Sequence, residues 1–157
     1  MGHARWVVGD LAEELTHRLV GGVRHKTDSR AWYCPDVSVG EDYYESKAVG
    51  RSRTAFVYGG RLEKDREFVV GGRELHYVIW HHSASVIGVA TVEQLRAVIL
   101  DSLVARYVVP FAEVDRICRT RRLDKLNSAY GGPDKKTYGT GYRIPLALLE
   151  RWRELPC

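Results

Sequence analysis

Two short segments hold side chains whose types and spacing could do chemistry together. One is Trp32-Tyr33-Cys34-Pro35-Asp36-Val37, the other Tyr43-Tyr44-Glu45-Ser46-Lys47-Ala48. Each reads as a strand, and the polar turn Gly40-Glu41-Asp42 joins them. Side chains alternate faces along a strand, so Glu45 and Lys47 point the same way, about 6–7 Å apart, and Ser46 points to the other face. Pairing of the two strands would bring Asp36 beside Glu45. Neighbouring carboxylates raise each other's pKa unless a cation neutralises them. Oxygen ligands with an open coordination sphere suit magnesium, with manganese as a substitute. A lysine beside such an ion can orient an attacking water or hold a phosphate oxygen. These are the parts of a metal-assisted phosphodiester hydrolysis. A Glu-x-Lys triplet alone is common and ordinarily lies on a solvated face. Apolar flanks on both segments here suggest strands inside a sheet.

Residues 9–20 read as a helix capped by Asp10, with Glu13 in the capping-box position and Val8, Leu11, Leu15 and Leu19 on its apolar face. Gly21 and Gly22 end it, and Val23 begins a short strand. Residues 24–30 read as a basic loop. The region 51–72 allows two readings. Thr54 to Gly60 and Phe68 to Gly72 could be hairpin turns, but Tyr58, Leu62, Asp65 and Val69 fall at helical spacing. A helix over roughly 55–70, closed by Gly71 and Gly72, is favoured, followed by a buried strand Leu75–Trp80. Thr91 caps a helix through about Val104, and Pro110 opens another. Pro145 to Arg153 forms a short final helix. The expected fold class is α/β.

Composition bounds the partners. The chain has 157 residues, one domain's worth, with 18 Arg, 6 Lys and a formal net charge of +4. A mild basic excess is compatible with nucleic acid. Cys34, Cys118 and Cys157 have no framework or zinc spacing, and Cys34 reads as a small packed residue. No apolar run approaches the ~18 residues of a membrane span, and no signal peptide is evident, so a cytoplasmic protein with no membrane partner is expected. Residues 116–136 hold seven basic residues against two acidic ones. Such a run is usually a solvated face, but with DNA as substrate Arg119, Arg121 and Arg122 become candidates for phosphate contact. Arg24, Lys26, Arg30, Arg51 and Arg53 flank the carboxylates in sequence and are candidates on the same ground. Tyr130, Tyr138 and Tyr142 could stack on unpaired bases or simply pack. His81 and His82 are adjacent, face opposite ways on a strand and cannot easily share an ion.

The order of an acidic helix, Pro35-Asp36, Glu45-Ser46-Lys47, a helix and an apolar strand resembles the PD-(D/E)XK, restriction-endonuclease-like nucleases. Within them the chain is most similar to the archaeal-type Holliday junction resolvases. Gly9-Asp10-Leu11-Ala12-Glu13 resembles that family's Gly-x-x-Ala-Glu, and Pro35-Asp36-Val37 its Pro-Asp-Ile. The match covers residues 9–82. It implies an αβββαβ core with a mixed central sheet flanked by helices; residues 91–157 extend past the family's usual length and read from their own pattern as a helical and basic C-terminal extension. It also implies roles: Asp36 and Glu45 hold Mg2+ with the Ser46 backbone carbonyl, Glu13 is a third acid near the metal or a bound water with Glu14 in reserve, and Lys47 positions water or the scissile phosphate. A homodimer acting on four-way DNA junctions would follow. A less structure-selective repair, restriction or phage-recombination nuclease, or a non-catalytic nucleic-acid-binding module, are the alternatives.

Overall fold

Alternation of apolar residues sets the strands of this chain. The computed structural model describes residues 2–25, 35–85, 88–125 and 140–156. In order these form α1 (Gly2–Val20), β1 (Val23–Arg24), β2 (Val37–Val39), β3 (Asp42–Val49), β4 (Thr54–Tyr58), α2 (Gly59–Val70) and β5 (Glu74–His82). Then come α3 (Val92–Asp101), β6 (Leu103–Pro110), α4 (Phe111–Arg119), β7 (Asp124–Lys125), β8 (Thr140–Pro145), a 3-10 helix (Leu146–Trp152) and β9 (Arg153–Glu154). Among the described residues, one sheet runs β1-β2-β3-β5-β6-β9, and a smaller antiparallel sheet runs β4-β8-β7. In the large sheet β3 and β5 pair in parallel and their neighbours antiparallel. The parallel pair requires a crossover, which α2 supplies. The fold is mixed α/β, with a mixed central sheet flanked by helices.

The two faces of β5 divide the interior. Leu75, Tyr77 and Ile79 join Val49, Ala105, Tyr107 and Val109 in a core closed by Leu62 of α2, by Val114 and Ile117 of α4, and by Ala55, Val57 and Ile144 of the small sheet. Val78 and Trp80 face the other way, onto Ala12, Leu15 and Leu19 of α1. A third cluster joins Leu11 of α1 to Leu95 and Ile99 of α3. Period 2 in the strands thus meets period 3.6 in the helices on both faces. No helix among the described residues is long and apolar enough to cross a membrane.

Several elements differ from the sequence reading. The first helix begins at Gly2, not near Gly9, so Asp10 lies mid-helix and caps nothing. Val7 and Val8 pack with Leu11 against α3, and that burial outweighs the cost of Gly9, about 1 kcal/mol. The strand carrying the Pro-Asp pair begins at Val37, and Asp36 directly precedes it. Lys26, Arg30, Trp32, Tyr33, Cys34, Tyr130 and Tyr138 lie outside the described residues. The helix placed over 55–70 starts at Gly59, because Ala55 and Val57 alternate inward as β4 against β8, a partner more than 80 residues away in sequence. Its end at Gly71 and Gly72 is as expected. The helix begun at Thr91 stops at Asp101, since Ala105, Tyr107 and Val109 alternate into the core as β6. The described part of residues 91–157 is therefore not helical alone: strands accompany α3, α4 and the 3-10 helix. This part supplies two strands of the central sheet and two of the small one.

Candidate functional site

The hairpin register builds the site. Val37 pairs with Tyr44 and Ser38 with Tyr43, so continuing by one residue sets Asp36 opposite Glu45. The Ser46 amide donates to Asp36 Oδ2 at 2.7 Å, and His25 N donates to the Asp36 carbonyl at 2.7 Å. Asp36 is thus fixed from both neighbouring strands. Glu45 and Asp36 are 6 % and 9 % exposed. Lys47 shares the Glu45 face, with Nζ 4.0 Å from Glu45 Oε1 and 5.5 Å from the centre of the Tyr77 ring. Ser46 turns to the opposite face, where its hydroxyl donates to Thr16 Oγ1 of α1 at 2.9 Å. The Trp80 indole donates to the same oxygen at 3.0 Å, and the Thr16 hydroxyl donates to Ala12 O at 3.0 Å. This hub ties α1, β3 and β5 together beneath the carboxylates.

Burial and mutual repulsion dominate the electrostatics. Glu45 is pushed up to about 7, first by burial and then by Asp36. Asp36 is raised by burial, against the pull of the Ser46 amide, Arg61, Lys47 and Arg24. Glu13 is raised by burial and by Asp36, with Arg24 opposing. Burial thus disfavours the charged carboxylates despite Arg24, Arg61 and Lys47, and a further cation would favour them.

Glu13 and Glu14 separate cleanly. Glu13 Oε2 accepts from Arg24 at 3.0 Å and feels Asp36. Glu14 is bound by Arg96 of α3 and by Arg18, away from the carboxylate pair. Arg24 is part of the cluster itself, reaching Glu13 and also Asp10 at 2.5 Å.

Three residues joined to this site were not picked out from the sequence. Arg61 of α2 donates to Glu45 Oε2. Its Nε lies 3.6 Å from Asp65 Oδ1. Asp65 is fully buried, accepts from the Tyr77 hydroxyl, and is pushed up to about 7 by burial. Tyr77 pairs with Glu45 in the parallel register. The signal was present: Asp65 is a charged residue at an inward position of a helix stripe, and such residues are seldom buried without a partner.

The other basic candidates lie apart from the carboxylates. Arg51 and Arg53 are exposed in the turn after β3. Arg119 pairs with Asp115 at 3.1 Å. Arg121 and Arg122 line a depression with Thr120, Leu123 and Arg143. Leu123 abuts Gly59 at the start of α2, two residues from Arg61, so this basic segment borders the helix that carries the site's arginine. His81 and His82 are buried at the end of β5, their pKa values lowered by burial, with a register shift between them.

No three His, Cys, Asp or Glu side chains among the described residues converge closely enough to enclose an ion by themselves. A magnesium ion commonly takes one or two carboxylates and completes its sphere with water and substrate oxygens, and the Asp36–Glu45 pair fits that pattern. Compared with protein-family models, with curated proteins and with solved structures, the chain gives no match.

Proposed function

We infer that this chain is a divalent-metal-dependent DNA endonuclease of the restriction-endonuclease-like kind, acting on branched DNA. The observation that carries the reading is Asp36 set opposite Glu45 with Lys47 on the same strand face. The helix–strand order α1, β1, β2, β3, β4, α2, β5 supports it, with β4 leaving the central sheet for the small one. Asp36 and Glu45, with the Ser46 carbonyl, would hold Mg2+ or Mn2+. The ion, when bound, supplies Lewis-acid charge and an acidified water. Lys47 donates hydrogen bonds to the attacking water or a non-bridging phosphate oxygen, held in line by its contacts with Glu45 and Tyr77. Glu13, fixed by Arg24, adds negative potential on the α1 side. Arg121, Arg122 and Arg143 offer forked donors to backbone phosphates beyond the cleaved bond. Preference for four-way junctions, and a homodimer to cut both strands, come from the resemblance alone.

One observation favours a second reading, a non-catalytic nucleic-acid-binding module: Arg61 already contacts Glu45. A nicking assay on a synthetic four-way junction and a linear duplex of the same sequence, with Mg2+ or with chelator, separates the readings. Metal-dependent nicking of the junction supports the resolvase. Equal cutting of both substrates supports the less selective nuclease. Binding without cutting at any metal supports the module.

A further inference from the structure

Asp65 is fully buried, and burying a carboxylate is costly unless it serves a partner. Its neighbours identify that partner. Tyr77 holds one carboxylate oxygen, and Arg61 approaches the other at 3.6 Å while donating to Glu45. The i,i+4 spacing on α2 puts Arg61 and Asp65 on one helix face. Glu45, Arg61, Asp65 and Tyr77 thus form a chain of contacts that starts and ends on paired residues of β3 and β5.

Arg61 stands where a cation is needed. Its charge acts on both Asp36 and Glu45. Lys47, at 4.0 Å from Glu45, is beyond hydrogen-bond distance, whereas Arg61 makes the direct contact. Arg24 is taken up by Asp10 and Glu13. The Arg61 side chain remains about a quarter exposed, so it has room to move, while Asp65 does not.

We propose that Arg61 is the resident counter-ion of Glu45, exchanged for a divalent cation when the site loads, with Asp65 and Tyr77 retaining the displaced guanidinium. The proposal rests on the metal-nuclease reading above and makes Arg61 a positioning residue that sets how tightly the site takes its ion. Without an ion it neutralises Glu45. With one, it must give way, so part of the binding free energy is consumed in breaking the Arg61–Glu45 contact.

The test is calorimetric titration of Mn2+ into chelator-stripped wild type, Arg61→Gln and Arg61→Lys. Removing the competing charge should tighten Mn2+ binding in Arg61→Gln by about tenfold. Arg61→Lys, which keeps the charge, should stay near wild type. A purely structural Arg61 would loosen Mn2+ binding along with stability. Unchanged or weaker binding in Arg61→Gln, beside clear binding in wild type, overturns the exchange and leaves the metal site standing. No Mn2+ uptake by wild type overturns both. Should Arg61→Gln fail to fold, the Arg61 side-chain Nε–H resonance of wild type decides. It should shift on adding Mg2+ in step with the Glu45 carboxyl, and an unmoved Arg61 signal beside a shifted Glu45 signal overturns the proposal.

Discussion

The Ser46 amide points at Asp36 and the Ser46 hydroxyl at Thr16, so one residue of β3 fixes the acidic pair on one side and the supporting helix on the other. The Glu-x-Lys triplet is thereby held at its middle residue. Its outer two side chains face Tyr77 and α2, while its centre is bonded in the opposite direction.

Asp36→Asn tests the carboxylate pair. The amide side chain keeps an oxygen for the Ser46 N–H, so the fold should stand. Cleavage should fall by about two orders of magnitude or more, since one of the two carboxylates proposed to hold the ion is gone. Junction affinity should hold or rise, because less negative charge faces the phosphates. Wild-type cleavage by Asp36→Asn in Mg2+ would remove Asp36 from the mechanism.

Acidity should stabilise the metal-free protein through Glu45. Its carboxyl is raised from 4.5 to about 7 in the fold. Between those values the folded chain holds a proton that the unfolded chain has released. The contribution is complete below the unfolded value and is lost as pH rises through about 7. Asp65, also raised to about 7, acts in the same direction, while the lowered pKa values of His81 and His82 act oppositely. Comparison with Glu45→Gln cancels those other groups. On going from pH 7.5 to 5.5 in chelator, wild type should gain roughly 2 kcal/mol over the variant in urea unfolding. A gap that is the same at both pH values contradicts the buried, repelled state of Glu45.

Thr16→Val should be costly despite its near-equal volume. It leaves the Trp80 indole N–H and the Ser46 hydroxyl without their shared acceptor in a fully buried spot. The expected loss is about 2–4 kcal/mol, with Thr16→Ser close to wild type. Equilibrium unfolding followed by Trp fluorescence measures both. A loss below about 0.5 kcal/mol for the valine would show that the hub does not hold these elements.

The two glycines after α1 should respond differently to alanine. Both have φ of +75°, a conformation that costs an alanine about 1–2 kcal/mol. At Gly21 the added carbon meets open space. At Gly22 it would lie 2.0 Å from the Ser38 carbonyl oxygen, so β1 must move off β2 and carry Arg24 with it. Gly22→Ala should therefore lose at least about 3 kcal/mol and Gly21→Ala about half that or less. Similar losses at both sites would contradict the close β1–β2 approach.

Local pattern told most about elements whose partners are near in sequence. The β2–β3 turn, the end of α1 at Gly21, the α2 stop at Gly71 and Gly72 and the β5 strand are all visible in short windows, because glycine conformations and alternation are local causes. The juxtaposition of Asp36 and Glu45 follows from the same hairpin. Leu103 to Pro110 was hidden because its apolar residues fit the end of a helix as well as a strand, and pairing with β5 decided the matter. Thr54 to Tyr58 needed β8, which is remote in sequence. Arg61 and Asp65 were missed for a related reason. A helix spacing pattern shows which residues face inward, but not that a buried carboxylate meets a tyrosine on one strand and an arginine bound to a glutamate on another.

The central strand β5, nine residues long, is bonded to β3 on one edge and to β6 on the other. A fragment ending near residue 90 would keep every side chain of the acidic pair and its lysine, yet would bare that second edge and the apolar surface that Tyr107 and Val109 cover. Open edges of this kind recruit other chains. Trimming the protein to its motif-bearing half should therefore give a sticky, self-associating polypeptide and not a miniature version of the fold. Any effort to shrink or split it must keep the later strand in register with the earlier ones.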